Sequence, residues 1–222
     1  MADFASLSPA EQARQLGKPE GDIGIELGLL LNRTNIKIID AVYTRLGLAA
    51  GMEVLEIGFG NGHLLPEFLR RADDLKYVGI EISQTMVEQA RHFNAAVSAT
   101  GQASFHLACA EEIPAAAASF DRVCAVNVIY FWTDPVRPLK EMRRVLKPNG
   151  FCVIAATSPE STSAMPHLRP EFGFHARDDE TLVALHKEAG FTRIDVETVT
   201  GSVPKPDGTL WSVKSYVIIA QP

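Results

Sequence analysis

Apolar positions along the chain fall into two alternating kinds of run. Contiguous runs, Val54-Leu55-Glu56-Ile57, Tyr77-Val78-Gly79-Ile80, Ala103 to Cys109, Phe120 to Val128 and Phe151 to Ala156, fit strands buried on both faces. Between them apolar residues recur at helical spacing: Leu64, Leu65, Phe68 and Leu69, then Met86, Val87 and Ala90, then Val136, Leu139, Met142 and Val145. Ser8-Pro9-Ala10-Glu11 opens a short helix that Gly17 and Pro19 should stop. A second helix is expected from about Gly24 to Leu46, with Ile36, Ile39, Val42, Tyr43 and Leu46 on its packed face. Asn32-Arg33-Thr34-Asn35 interrupts it, as a solvated turn, a helix break or a lid over a ligand. Pro148-Asn149-Gly150 reads as a turn, Thr157 to Arg177 as a long irregular stretch, Asp178 to Ala189 as a helix, and Phe191 to Val199 and Ser212 to Ile219 as strands. Alternation of this kind predicts right-handed crossovers and an α/β doubly wound, mainly parallel sheet with helices on both faces.

Length and charge narrow the class. At 222 residues one domain is expected, with residues 1–48 as an N-terminal helical lid and 49–222 as the core. Twenty-one Lys and Arg against 27 Asp and Glu disfavour a nucleic-acid partner and point to a small molecule. Cys109, Cys124 and Cys152 lie in apolar runs without metal-ligand spacing, so reduced core thiols and no metal are expected. No apolar run has signal-peptide or bilayer length, which predicts a cytoplasmic protein with no membrane span. The oligomeric state is left open.

The chemistry concentrates after the first strand. Three glycines, Gly58, Gly60 and Gly62, turn the chain before the next helix, so a ligand can lie on the main chain there. A dinucleotide fingerprint wants G-x-G-x-x-G, but His63 stands at its last position, and the actual pattern is Glu56-x-Gly58-x-Gly60-x-Gly62. Glu81 ends the second strand about twenty residues further on, where a carboxylate can hold ribose hydroxyls and would repel a 2′-phosphate.

Taken together, these residues resemble the class I S-adenosylmethionine-dependent methyltransferases over nearly the whole chain. Glu56 to Gly62 is similar to the family's first motif, Glu81 to its ribose acid, and Ala110-Glu111-Glu112-Ile113-Pro114 to the segment bordering adenine. Arg144-Val145-Leu146-Lys147-Pro148-Asn149-Gly150 resembles the family's turn before the fifth strand. The resemblance implies a Rossmann-like seven-stranded sheet with an antiparallel last strand and S-adenosyl-L-methionine as cofactor. It further implies that Ile82 and Met86 flank the adenine, Gly58 and Gly60 the methionine portion, and Asn127 the strand-four edge. Cys109 stands where many relatives have an Asp, so adenine contacts would rest on the Ala110 N–H and Glu111.

The implied chemistry is in-line methyl transfer, in which positioning supplies most of the rate. A base is needed only where the acceptor must lose a proton, and His167, His175 and Tyr130 are the candidates, with His63 at the loop. Tyr130, Phe131, Trp132, Phe172 and Phe174 would wall an apolar acceptor pocket, and Asn32 and Asn35 would close over the cofactor. Two other classes compete. A non-catalytic cofactor-binding module has the same motifs. An NAD-dependent oxidoreductase of the short-chain type lacks support, because none of Tyr43, Tyr77, Tyr130 and Tyr216 has a Lys four residues on.

Overall fold

The computed structural model describes residues 3–163, 165–204 and 209–222. Seven strands, β1 Glu53–Ile57, β2 Lys76–Glu81, β3 Ala103–Leu107, β4 Phe120–Val126, β5 Leu146–Thr157, β6 Arg193–Pro204 and β7 Leu210–Gln221, form one sheet in the order β3-β2-β1-β4-β5-β7-β6. Pairings from β3 through β5 are parallel, and β7 runs antiparallel to both β5 and β6. The helices are α1 Pro9–Gly17, α2 Gly21–Thr34, α3 Ile36–Arg45, α4 Leu65–Leu69, α5 Gln84–Phe93, α6 Ala95–Ala99, α7 Val136–Val145, α8 Pro159–Thr162 and α9 Asp179–Glu188. The expected doubly wound architecture and antiparallel last strand are therefore present.

Strands β1, β2, β4 and β5 bury both faces over most of their length, which is why their sequences are largely apolar without alternation, whereas the edge strand β3 leaves His106 and Leu107 exposed. Leu55 and Ile57 face one core with Leu139 and Met142 of α7 and Leu182 of α9. Val54 faces the other, with Val42 and Tyr43 of α3, Phe68 of α4 and Val87 and Ala90 of α5. Glu56 lies two residues from Val54, so the pleat turns its carboxylate into that second core. The strand order reverses between β1 and β4, the place where open α/β sheets bind ligands beyond the strand ends.

The structure corrects two expected elements. The single helix from Gly24 to Leu46 is two helices, α2 and α3, meeting at Asn35 (φ −96°, ψ −1°). Thr34 Oγ1 donates back to the Leu30 carbonyl at 3.3 Å, a bond that bends helices, while Asn35 N–H still reaches Leu31 O at 2.9 Å. The Pro148-Asn149-Gly150 turn lies inside β5 as a bulge: Phe120 and Arg122 of β4 pair with Leu146 and Phe151, so one intervening residue faces four. The irregular stretch after β5 contains α8, capped by the Ser158 side chain, and a 3₁₀ turn at Pro170–Phe172. Among the described residues no helix is long and apolar enough to cross a membrane.

Phe68 is fully buried, its ring edge-on to Tyr43 (centroids 4.9 Å apart) and Tyr77 (5.4 Å). Phe68→Ala should lower unfolding free energy by about 3–5 kcal/mol in urea titrations, and a loss below about 1 kcal/mol would contradict this packing.

Candidate functional site

The loop after β1 has a conformation that its glycines permit. Gly60 has φ +63° and faces open space, so any side chain there would be strained and would project toward a ligand. At Gly62 (φ +67°) an added Cβ would lie 2.7 Å from the Ala90 Cβ, because α5 packs directly on the loop. Asn94, at the end of α5, donates to the Gly62 carbonyl at 3.0 Å and fixes that approach.

Above the loop opens a cavity of about 460 Å³, within the range of small-ligand sites. Glu56, Gly58, Gly60, Gly62, Glu81, Ile82, Met86, Ala110, Glu111 and Asn127 all line it, so ten residues from distant parts of the sequence converge. Tyr130, Trp132, Phe174 and His167 line it too, as do Asn32 and Asn35. His175, Phe172 and His63 do not: the structure does not bring these three expected residues to the cavity. The His175 N–H instead donates to the Tyr130 carbonyl at 2.9 Å, and His63 is exposed with its ring against Phe93.

Glu81 is buried, and its carboxylate accepts the N–H groups of Ile82 (2.8 Å) and Ser83 (3.0 Å) on Oε1 and of Gly60 (3.3 Å) on Oε2. Burial raises its pKa above the usual carboxylate value, and the three N–H donors oppose that rise. Oε1 is filled by two donors, so the remaining accepting capacity lies on Oε2. Glu56 accepts from the hydroxyls of Tyr77 (2.8 Å) and Tyr43 (3.1 and 3.2 Å). Burial pushes its pKa up to about 6, with the two hydroxyls acting against the rise.

The other end of the cavity is aromatic. Asn127 has φ +57°, a left-handed conformation that Asn tolerates, and its Oδ1 accepts from Tyr130 Oη at 2.8 Å and Thr157 Oγ1 at 3.4 Å. Tyr130 Oη also accepts the Thr157 N–H, and its ring stacks on Phe174 at 4.3 Å. Burial pushes the Tyr130 hydroxyl up to about 12, so it stays protonated at neutral pH and serves as a hydrogen-bonded link. Arg177 donates to the carbonyls of Ile129 (2.9 Å), His175 (2.9 Å) and Trp132 (3.2 Å), holding the turn that carries these rings. His167 is half-buried beside Phe4, and burial lowers its pKa, leaving the imidazole neutral at pH 7.

Sequence reasoning missed several contributors. Leu27, Gly28, Leu30 and Leu31 of α2 line the cavity, and a regular apolar helix gave no sign of that. Asn61, between two of the loop glycines, is buried and accepts the His63 N–H at 3.1 Å. Arg144 donates to the carbonyls of Ile113 (3.0 Å) and Ala115 (2.8 Å) and pairs with Glu141, which accepts the Ile113 N–H. The motif before β5 thus also fixes the Ala110–Ile113 wall. Among the described lining residues there is no Lys or Arg, against three acids.

Known methyltransferases share sequence or fold with this chain. A methyltransferase-domain family model matches residues 55–154. An uncharacterized methyltransferase of Bacillus subtilis, YdaC, is 29% identical over 171 residues, 77% of this chain and 88% of the relative. Three further methyltransferases match over 42% to 63% of their own length. A putative methyltransferase solved in complex with the Haloferax volcanii activator Trm112 superposes with TM-score 0.72 at 18% identity, over 92% of this chain and 96% of that one. An N-methyltransferase from Haemonchus contortus, solved with S-adenosylhomocysteine, superposes with TM-score 0.66 at 17% identity, over 84% of this chain and 52% of that one.

Glu56 gives a pH prediction. Its folded pKa, about 6, lies above the ordinary 4.5, so its contribution to stability is full below pH 4.5 and is lost as pH rises through 6. Glu56→Gln keeps the hydroxyl contacts without the charge, and its stability relative to wild type should rise by about 2 kcal/mol between pH 4.5 and pH 7.5 in urea unfolding. A pH-independent difference would contradict the buried, cation-free carboxylate.

Proposed function

We propose, from the premise that this chain belongs to the class I S-adenosylmethionine-dependent methyltransferases, that it methylates a small, partly apolar and uncharged acceptor in the cavity above its glycine loop. One observation carries the reading: a single cavity joins the Glu81 carboxylate and the glycine loop to an aromatic pocket, with acids but no Lys or Arg among its described walls. Bound S-adenosylmethionine would supply a methyl group already activated on a sulfonium. The residues present fit it, since Glu81 keeps accepting capacity on Oε2 and Gly60 leaves the loop face open.

In this reading Glu81 holds the ribose hydroxyls, and Ile82 and Met86 flank the adenine, with the Ala110 N–H and Glu111 at its edge. Gly58, Gly60 and Gly62 give the methionine portion a backbone floor, and Glu56 sets a negative field that favours a cationic cofactor over its neutral product. Asn127 and Tyr130 fix the strand-four edge through their mutual hydrogen bond, and Trp132 and Phe174 wall the acceptor. His167, neutral at pH 7, accepts the proton that an acceptor hydroxyl or thiol must lose. A phosphate or carboxylate on the acceptor would be desolvated without a cationic partner, which disfavours anionic acceptors. Helices α1 to α3, within residues 1–48, form the lid of a single domain. The acidic balance and absence of a spanning helix among the described residues support a cytoplasmic enzyme without nucleic-acid partners.

The retained cofactor site also suits a non-catalytic binding module, and a labelled-methyl assay over neutral aromatic and aliphatic alcohols, thiols and amines separates the two. Transfer to any of them supports the enzyme. Glu81→Ala should weaken S-adenosylhomocysteine binding by about 1.5–3 kcal/mol in calorimetry while the protein stays folded, and an unchanged affinity would remove Glu81 from the ribose site. His167→Ala should cut transfer to a hydroxyl acceptor by about 10²–10⁴-fold at unchanged cofactor affinity, and wild-type rates would remove the base from His167.

A further inference from the structure

We propose that the recess between the start of α3 and the β6–β7 hairpin is a second subsite for the acceptor, taking a neutral carbonyl oxygen on a tail remote from the methylated atom. This rests on the acceptor reading above and gives that acceptor a polar end. The recess measures about 50 Å³, room for about three waters or for a carbonyl with its nearest carbons. Asn35 and Lys37 line it from the α2–α3 junction, Ser202 and Ser215 from the hairpin, and Asn127 and Thr157 from the carboxyl ends of β4 and β5. Asn35, Asn127 and Thr157 also line the larger cavity, so the two spaces adjoin.

The two spaces differ in sign. The cavity has Glu56, Glu81 and Glu111 on its described walls and no Lys or Arg, whereas the recess has Lys37 and, among its described walls, no Asp or Glu. Asp40 of α3 pairs with Arg71 and Glu197 of β6 with Arg45, while Lys37 has no ion pair among the described residues. The Lys37 stem runs over the hairpin, since a Cβ on Gly201 would lie 3.9 Å from Lys37 Cδ. Asn127 Oδ1 is occupied by Tyr130 and Thr157, so what its side chain can still offer is the Nδ2 donor. Asn35 heads α3 without a side-chain cap bond, which leaves its amide to the recess. Walls made of donors match an oxygen that only accepts, and a carbonyl is such a group. A carboxylate would carry its charge beside the three acids of the cavity, and the hydrated charge of the exposed Lys37 does not offset its desolvation.

The test is calorimetric titration of S-adenosylhomocysteine-saturated wild type, Lys37→Met and Lys37→Arg with para-substituted phenols, after circular dichroism has matched the folded states. The phenols carry tails of about one to four methylenes ending in a methyl ketone, in a plain alkyl group of the same length, or in a carboxylate. At one tail length or more the ketone should bind wild type about tenfold more tightly than its alkyl counterpart. Lys37→Met should shrink that advantage to less than about threefold and Lys37→Arg should keep it, with alkyl-phenol and S-adenosylhomocysteine affinities alike in all three proteins. A ketone advantage absent from wild type at every length, or undiminished in Lys37→Met, overturns the inference, as does tighter binding of the carboxylates than of the ketones. If S-adenosylhomocysteine binds and none of the phenols does, the acceptor reading falls with the inference; if S-adenosylhomocysteine itself fails to bind, the cofactor reading falls as well.

Discussion

The site depends on one carboxylate held by backbone. Glu81 ends β2 and takes N–H groups from Gly60, Ile82 and Ser83, so it ties the loop after β1 to the turn after β2. Ser83 then caps α5 through Met86 N–H and donates to the Pro19 carbonyl, just before α2. The Gly21 N–H reaches Thr85 Oγ1 at 3.2 Å and adds a second tether. Glycine loop, α5 and the lid helices are thus referenced to the same acid. Backbone donors fix such a carboxylate with less conformational entropy than long cationic side chains would require.

The second organising feature is the sign of the cavity. Glu56 is buried without a cation and is held by two tyrosine hydroxyls, so its charge is only partly compensated. Tyr43 comes from α3 and Tyr77 from β2, and Arg71 lies over the Tyr43 ring at 5.4 Å. This acid, which lines the cavity, therefore also pins α3 to the sheet.

Much of this was legible in the sequence, for physical reasons. Contiguous apolar runs separated by helical periods dictate a parallel sheet, and topology then brings the ends of β1, β2 and β4 together. Glu81 and the three glycines could be read because backbone geometry restricts what can stand there. The break at Asn35 was half legible: the polar cluster signalled it, but Thr34 back-bonding to Leu30 depends on a rotamer. The acceptor side was less so. His175 and Phe172 looked equivalent to His167 and Phe174, yet the chain turns at Gly173 (φ +81°), and only the second pair lines the cavity. Arg177 and Arg144 act through carbonyls, which leave no trace in sequence. The α2 wall was hidden because its leucines would read the same on any core helix.

In the proposed reading, the Glu81 carboxylate and the glycine loop hold S-adenosylmethionine in the cavity that continues to Tyr130 and Trp132. A crystal structure with S-adenosylhomocysteine tests it most directly. The account predicts a ribose hydroxyl within about 2.5–3.0 Å of Glu81 Oε2, and the sulfur facing the aromatic pocket. Density for the ligand elsewhere, or a ribose beyond hydrogen-bonding reach of Glu81, would contradict it.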